Sequence, residues 1–190
     1  MFTIVCDVAA RAEGIGVRPG DARVEIRRAG ERQHTRTEWL DSAHSFSFGH
    51  AYDPDNTHFG LLLASNEDVI APHSGYGRHL HRDLEILTWV LTGELTHEDS
   101  GGHHGRLGPG LIQRMSAGSG IEHSERNEAA APVHFVQMWL MPDEQGRLPD
   151  YAQADVAEQL AGGQLVPVAS GLPRHRGSTA IPIRQSRAGL

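Results

Sequence analysis

The stretch GRHLHRDLEILTWVLTGELTHED, residues 77–99, decides the fold. From Leu84 to Leu91 it alternates. Leu84, Ile86, Thr88 and Val90 fall on one face of an extended chain, and Glu85, Leu87, Trp89 and Leu91 on the other. Thr92-Gly93 is a turn signal, and Glu94 to His97 opens the return strand of a hairpin. The same punctuation continues upstream. EWLDSAHSFSFGH (38–50) alternates with Phe46 and Phe48 on one face, AYDPDN (51–56) is a turn cluster, FGLLLASN (59–66) reads as a buried strand, and VIAP (69–72) follows. Downstream, the turns SGGHHG (100–105), GPG (108–110) and GSG (118–120) frame LIQRMSA (111–117), and VHFVQMWLM (133–141) is a β-rich run stopped by Pro142. VEIRR (24–28) is expected to be the first strand, after an irregular extension over 1–22. Short strands between Gly/Pro turns predict an all-β antiparallel sandwich or barrel. The first helix is expected at 150–160, DYAQADVAEQL, with Asp150 as N-cap and Gly162-Gly163 as its stop, and QLVPVAS (164–170) is strand-like.

Composition bounds the function. The 190 residues carry a formal net charge of −7, which argues against nucleic acid or an anionic membrane as the default partner. No apolar run is long enough to span a bilayer. All 17 basic residues are arginine, so lysine Schiff-base chemistry and a lysine-bearing phosphate loop are excluded. The one cysteine, Cys6, rules out an internal disulfide and a cysteine-based zinc cage. MFTIVCDVAA lacks a basic region and is interrupted by Asp7, so it reads poorly as a signal peptide and a cytoplasmic location is expected. Thirteen histidines are the one compositional excess.

Spacing selects among them. His79 and His81 are separated by one residue, as are His123 and Glu125. Side chains at i and i+2 of a strand share a face, so each pair can aim two ligands into one cavity. Three imidazoles and a carboxylate, with no thiolate, suit Fe(II), Mn(II), Ni(II) or Cu(II) better than a structural zinc. An H-x-H pair alone is weak, because strand histidines are often surface residues. The second pair, just beyond the GSG turn, strengthens the reading. His97, His103 and His104 lie in or near a hairpin turn and are read as solvated. His44, His50 and His58 fall among aromatics, where one could line a cavity mouth. Trp89 and Trp139 are read as core.

GRHLHRDLEILTWVLTGELTHEDSGG, then GRLGPGLIQRMSAGSGIEHSE, together with the upstream WLDSAHSFSFGHAYDP, closely resemble the N-terminal domain of the pirin family of the cupin superfamily. The resemblance runs from about Val24 to Pro142 and is nearest to bacterial members that include quercetin 2,3-dioxygenases. It implies a cupin-type jelly-roll barrel over 23–142, with the family's four metal ligands falling on His79, His81, His123 and Glu125. Glu85 holds the glutamate position of the first cupin motif, where in pirins it is not a ligand, so a supporting or packing role is expected. Gly93, Gly110, Gly118 and Asn127 fit the motifs loosely. Leu80 stands where the family usually has proline. Family members usually carry a second barrel, whereas here a short extension, 143–190, resembles only its opening.

The resemblance implies a metal-dependent dioxygenase that takes a small flavonol-like phenol and O₂, with Glu125 as general base, the ring opening and carbon monoxide leaving. Fe(II) is the first expectation, with Mn, Ni, Cu or Co as alternatives. The competing readings are a metal-bearing regulator or redox sensor without catalysis, and a cupin that has lost its function. A homodimer using residues after Pro142 is expected, because an apolar barrel face without its usual second domain tends to find a partner. The extension could instead cover that face within its own chain.

Overall fold

The structure, a computed structural model, describes residues 26–178 and 180–189 together with the backbone of Val5–Cys6. In chain order the strands are β1 (Val5–Cys6), β2 (Gln33–Arg36), β3 (Leu40–His44), β4 (Leu62–Ile70), β5 (Ser74–His81), β6 (Glu85–Thr92), β7 (Leu95–Asp99), β8 (His104–Leu107), β9 (Leu111–Ser116), β10 (Ile121–Asn127), β11 (Val133–Leu140) and β12 (Asp150–Asp155). The one α-helix among the described residues, α1 (Ala157–Ala161), precedes β13 (Ala169–Ser170), β14 (Ile181–Pro182) and β15 (Ala188–Gly189). The fold is the expected all-β jelly roll. A four-stranded sheet, β5-β10-β7-β8, faces a seven-stranded one, β12-β9-β6-β11-β4-β3-β2, and a small third sheet, β1-β15-β13-β14, is built from the chain ends.

The two faces read from the 84–91 alternation are both buried, for different reasons. Ile86 and Val90 face the four-stranded sheet, in clusters with Met115 and Ile121 and with Leu95, Leu107 and Phe135. Leu87 and Trp89 face outward and meet Met138, Leu140, Val156, Val168, Ile181 and Ile183. The segment after Pro142 therefore folds back over the outer face of its own jelly roll. Polar contacts fix it there. Arg184 donates its backbone N–H to Glu85 Oε2 (3.0 Å), Gln185 Nε2 donates to Met141 O (2.7 Å), and the buried Arg114 guanidinium reaches Pro182 O (3.0 Å) and pairs with Asp150. Glu85 thus serves this outer packing. The apolar face that led to the homodimer expectation is covered within the chain.

Five local expectations are corrected. DYAQADVAEQL is not one helix: its first six residues are β12, paired antiparallel to β9 from Asp150↔Ser116 to Asp155↔Leu111, and the helix is confined to Ala157–Ala161. The unpaired edge of β9 outweighs the helical propensity of alanine here, since a strand gains a ladder and a five-residue helix gains little. Asp150 pairs with Arg114 instead of capping, and Asp155 Oδ1 accepts the Ala157 N–H (2.9 Å). Gly162 does end the helix. In VEIRR, Ile26–Arg28 forms no strand, and residues 24–25 lie outside the described set. The 38–50 alternation is strand only over Leu40–His44. The 59–66 run starts at Leu62 and continues to Ile70, taking in the first two residues of VIAP, with alternating rather than uniform burial. In 164–170, only Ala169–Ser170 is strand.

Because β6 is buried on both faces, Leu87→Ala should cost as much as Ile86→Ala, about 2–5 kcal/mol each in urea unfolding. A near-neutral Leu87→Ala would mean that the extension does not cover the outer face.

Candidate metal centre

Three neighbouring strands bring their inward pairs together. In the β10/β5 ladder His123 stands opposite His79, and Ile121 opposite His81. In the β10/β7 ladder Asp99 stands opposite His123, and His97 opposite Glu125. The β5 register shifts between His123 and Glu125, a bulge of the kind that re-aims a side chain. It brings the backbone so close that a Cβ at Gly75 would lie 2.3 Å from the Glu125 carbonyl oxygen, so glycine is required there.

His79, His81 and His123 bring donor atoms within 4.8 Å of one another, and Glu125 falls in an overlapping group with His123 and His97 at the same limit. His79 Nδ1 donates to Gly77 O (2.8 Å), which leaves its Nε2 free to coordinate. His81 Nε2 and His123 Nε2 are buried and have no hydrogen-bond partner among the described residues. Orphaned buried acceptors of this kind call for a missing partner. Burial, reinforced by the neighbouring imidazoles, pushes His81 down to about 4 and His123 down to about 3. Both are therefore neutral near pH 7, the state a ligand must have. The donor set fits a divalent metal ion.

Glu125 is 2% exposed, and both its oxygens accept from Gln137 Nε2 (2.8 and 2.9 Å). Gln137 Oε1 in turn accepts the Trp139 indole N–H (2.9 Å), which fixes the orientation of the amide. Trp139 packs with Ile86 and Met115 as a core residue, yet it also sets its ring edge-on to His81 at 4.9 Å. Phe48 contacts Trp139 and stacks on His44, each at 5.2 Å between ring centroids. His44 lines a cavity of about 310 Å³ with Phe46, Ser47 and Asn56; His50 and His58 are exposed. Asp68, raised by burial, accepts from Ser42 and from Tyr76 (3.0 Å) on the same interior.

The reading of His97 as solvated is overturned: it is 0% exposed and lies beside His123. Its hairpin strand runs on to Asp99, so His97 and Asp99 point inward as an i, i+2 pair. That spacing was the available signal, identical to H-x-H and H-x-E. His104 is exposed, and His103 is half-buried against Asp99.

Residues 25–140 match the family profile described as Pirin. The chain belongs to the pirin family. A quercetin 2,3-dioxygenase of Escherichia coli K12 is 44% identical over 144 residues, covering 75% of this chain and 62% of that protein. A protein of Mycobacterium tuberculosis, whose name gives the same activity provisionally, is 54% identical over 170 residues, covering 89% of this chain and 69% of its own length. Among solved structures, the bacterial pirin YhhW from E. coli in complex with nickel(II) superposes with a TM-score of 0.74 at 41% identity, covering 84% of this chain and 66% of that one. The chain thus spans about two thirds of the length of these pirins.

The depressed histidines set a pH dependence for the metal-free pirin chain. Unfolded, His81 and His123 bind protons near 6.5; folded, they refuse them until about 4 and about 3. Below about pH 6.5 the unfolded state binds more protons, so stability falls as pH falls, by about 1.36 kcal/mol per pH unit for each histidine. Urea midpoints of chelator-treated protein at about pH 7.5 and about pH 5.5 check this. An unchanged midpoint would contradict the buried neutral pair.

Proposed function

We propose that this pirin holds one divalent transition-metal ion, Fe(II) first, at His79, His81, His123 and Glu125, and cleaves a flavonol-like phenol with O₂. In this reading residues 23–142 form the metal-bearing domain and 143–190 its cover. The observation that carries the reading is the pair of buried, neutral imidazoles with orphaned Nε2 atoms, beside an ionisable carboxylate held by Gln137. When bound, the ion would act as a Lewis acid towards the phenol oxygen.

The remaining work falls to the chain. Gln137 holds the Glu125 carboxylate, and Glu125 accepts the proton of the substrate hydroxyl as general base. Trp139 holds Gln137 with its amide group facing Glu125, so the carboxylate meets a donor rather than an acceptor. The edges of Trp139 and Phe48 offer an apolar approach suited to a flat aromatic molecule. The packed sheets keep water from the buried His123 and Glu125. The names of the E. coli and mycobacterial pirins support the substrate class. Among the described residues no helix is long and apolar enough to cross a membrane.

The test loads the full chain separately with Fe(II), Mn, Ni, Cu and Co and follows loss of the visible absorbance of quercetin under air. Turnover is expected with at least one ion; no loss with any of them would overturn the enzyme reading. One tightly held ion per chain without turnover would support the regulator instead. His81→Ala should lose the ion on dialysis and His104→Ala should keep it, both read by elemental analysis. The reverse pattern would overturn the ligand assignment.

A further inference from the structure

Behind His123 lies a chain of polar groups that the proposed reaction does not use. His123 Nδ1 is 3.4 Å from His97 Nδ1, and His97 Nε2 is 3.2 Å from Asp99 Oδ2. The side chains of His97 and Asp99 are both fully buried. Asp99 continues the chain outward, since both its oxygens lie 3.1 Å from Nδ1 of His103, whose side chain is 40% exposed. Its Oδ1 also accepts the backbone N–H groups of Gly101 (2.9 Å) and His103 (3.0 Å). Tyr151 of β12 covers the row, stacked on His103 at 5.0 Å and 5.1 Å from His97.

The protons along this row follow from the one group that can only accept. Burial works against the charge on Asp99, but the His103 N–H and the two imidazoles outweigh it and hold the carboxyl below its ordinary range. An ionised Asp99 requires His97 to donate from Nε2. In a neutral His97 ring Nδ1 is then a bare acceptor, so the proton between the two rings belongs to His123 Nδ1. That leaves His123 Nε2 as a lone pair, and Nε2 is the atom that is buried without a partner. In the overlapping group of His97, His123 and Glu125, both ring nitrogens of His97 are already engaged, Nδ1 with His123 and Nε2 with Asp99, so His97 has none to offer an ion.

We propose that Asp99 and His97 are positioning residues that fix the tautomer of His123 through two successive hydrogen bonds, so that its coordinating nitrogen is bare before any metal arrives. The proposal builds on the metal site proposed above only for its affinity arm. The tautomer itself is a property of the metal-free chain.

Asp99→Asn makes a sharp test because the backbone orients the new amide. The acceptor position at Oδ1 is claimed by the Gly101 and His103 N–H groups, so the NH₂ takes the place of Oδ2 and donates to His97 Nε2. His97 must then carry its proton on Nδ1 and donate to His123 Nδ1, which moves the His123 proton to Nε2. In ¹⁵N-histidine-labelled, metal-free full-length protein, His123 should be protonated on Nδ1 in the natural chain and on Nε2 in D99N. Nickel(II) affinity, read by competition with a chelator, should fall roughly 10- to 100-fold. His97→Leu should weaken nickel similarly, whereas His97→Gln, which can accept from His123 and donate to Asp99, should restore most of the affinity. If D99N keeps the proton of His123 on Nδ1 and binds nickel as the natural chain does, the proposal falls. If D99N does not fold, the His97 pair decides: equal affinities for H97L and H97Q overturn it, and a tenfold or larger gap supports it. A natural chain that binds no nickel would overturn the metal site itself, while the ring spectra of the metal-free protein still decide the tautomer.

Discussion

The structure depends on satisfying polar side chains inside a dry β-sandwich. β10 is the axis of the problem: its inward residues His123 and Glu125 stand between His79 and His81 on one flank and His97 and Asp99 on the other. A buried polar atom without a partner costs on the order of 1–3 kcal/mol. The chain meets most of this demand internally. Gln137 reaches Glu125 from the opposite sheet, Asp99 and His97 reach His123 from behind, and Gly77 O takes the proton of His79. Among the buried atoms that stay unmet are the Nε2 atoms of His81 and His123. With His79 they form a cluster whose donor atoms lie within 4.8 Å of one another, a set that fits a divalent metal ion.

This arrangement needs a rigid support, and the support comes from burial on both sides of the seven-stranded sheet. Thr88 and Gln137 face the polar interior, hydrogen-bonded to each other at 3.2 Å, while Leu87 and Met138, next to them in sequence, face the cover formed by the later segment. A solvent-washed outer face would leave these strands anchored on one side only. With Val156, Val168, Ile181 and Ile183 against it, the rotamers of the inward residues are locked by packing on the far side of the same backbone.

How much of this was legible in the sequence depends on how local each signal is. The alternation over 84–91 reports both faces because it is a property of one strand. The nearness of the pairs His79/His81 and His123/Glu125 had a local signal, because each pair lies within a three-residue span next to a glycine turn, and the family resemblance pointed to the same residues. His97/Asp99 has the same spacing, but its place near the turn led to the reading of a solvated strand end; only the ladder with β10 shows that β7 runs inward to Asp99. Gln137 and Asp68 carry no local signal: nothing in their neighbours announces the carboxylate of Glu125 or the hydroxyl of Tyr76, which the chain brings from elsewhere.

The misread helix at 150–160 joins these threads. Its residues carry a helical composition, and only the open edge of β9, a tertiary fact, turns the first half into a strand. The consequence reaches the histidine cluster. As part of β12, Tyr151 lies over His97 and His103 and hydrogen-bonds to Gln113 (3.1 Å). The space it occupies exists because residue 105 is glycine: a Cβ there would lie 2.2 Å from the Tyr151 hydroxyl oxygen. Leu80 can be understood in the same way. Proline would fix φ at that position by its ring, whereas here the histidines on either side of Leu80 are held by the ladder to β10, His79 against His123 and His81 against Ile121. With the register fixed by pairing and by the bulge that Gly75 permits, the aim of the imidazoles no longer depends on the residue between them, and Leu80 is left 61% exposed on the outer side of the strand.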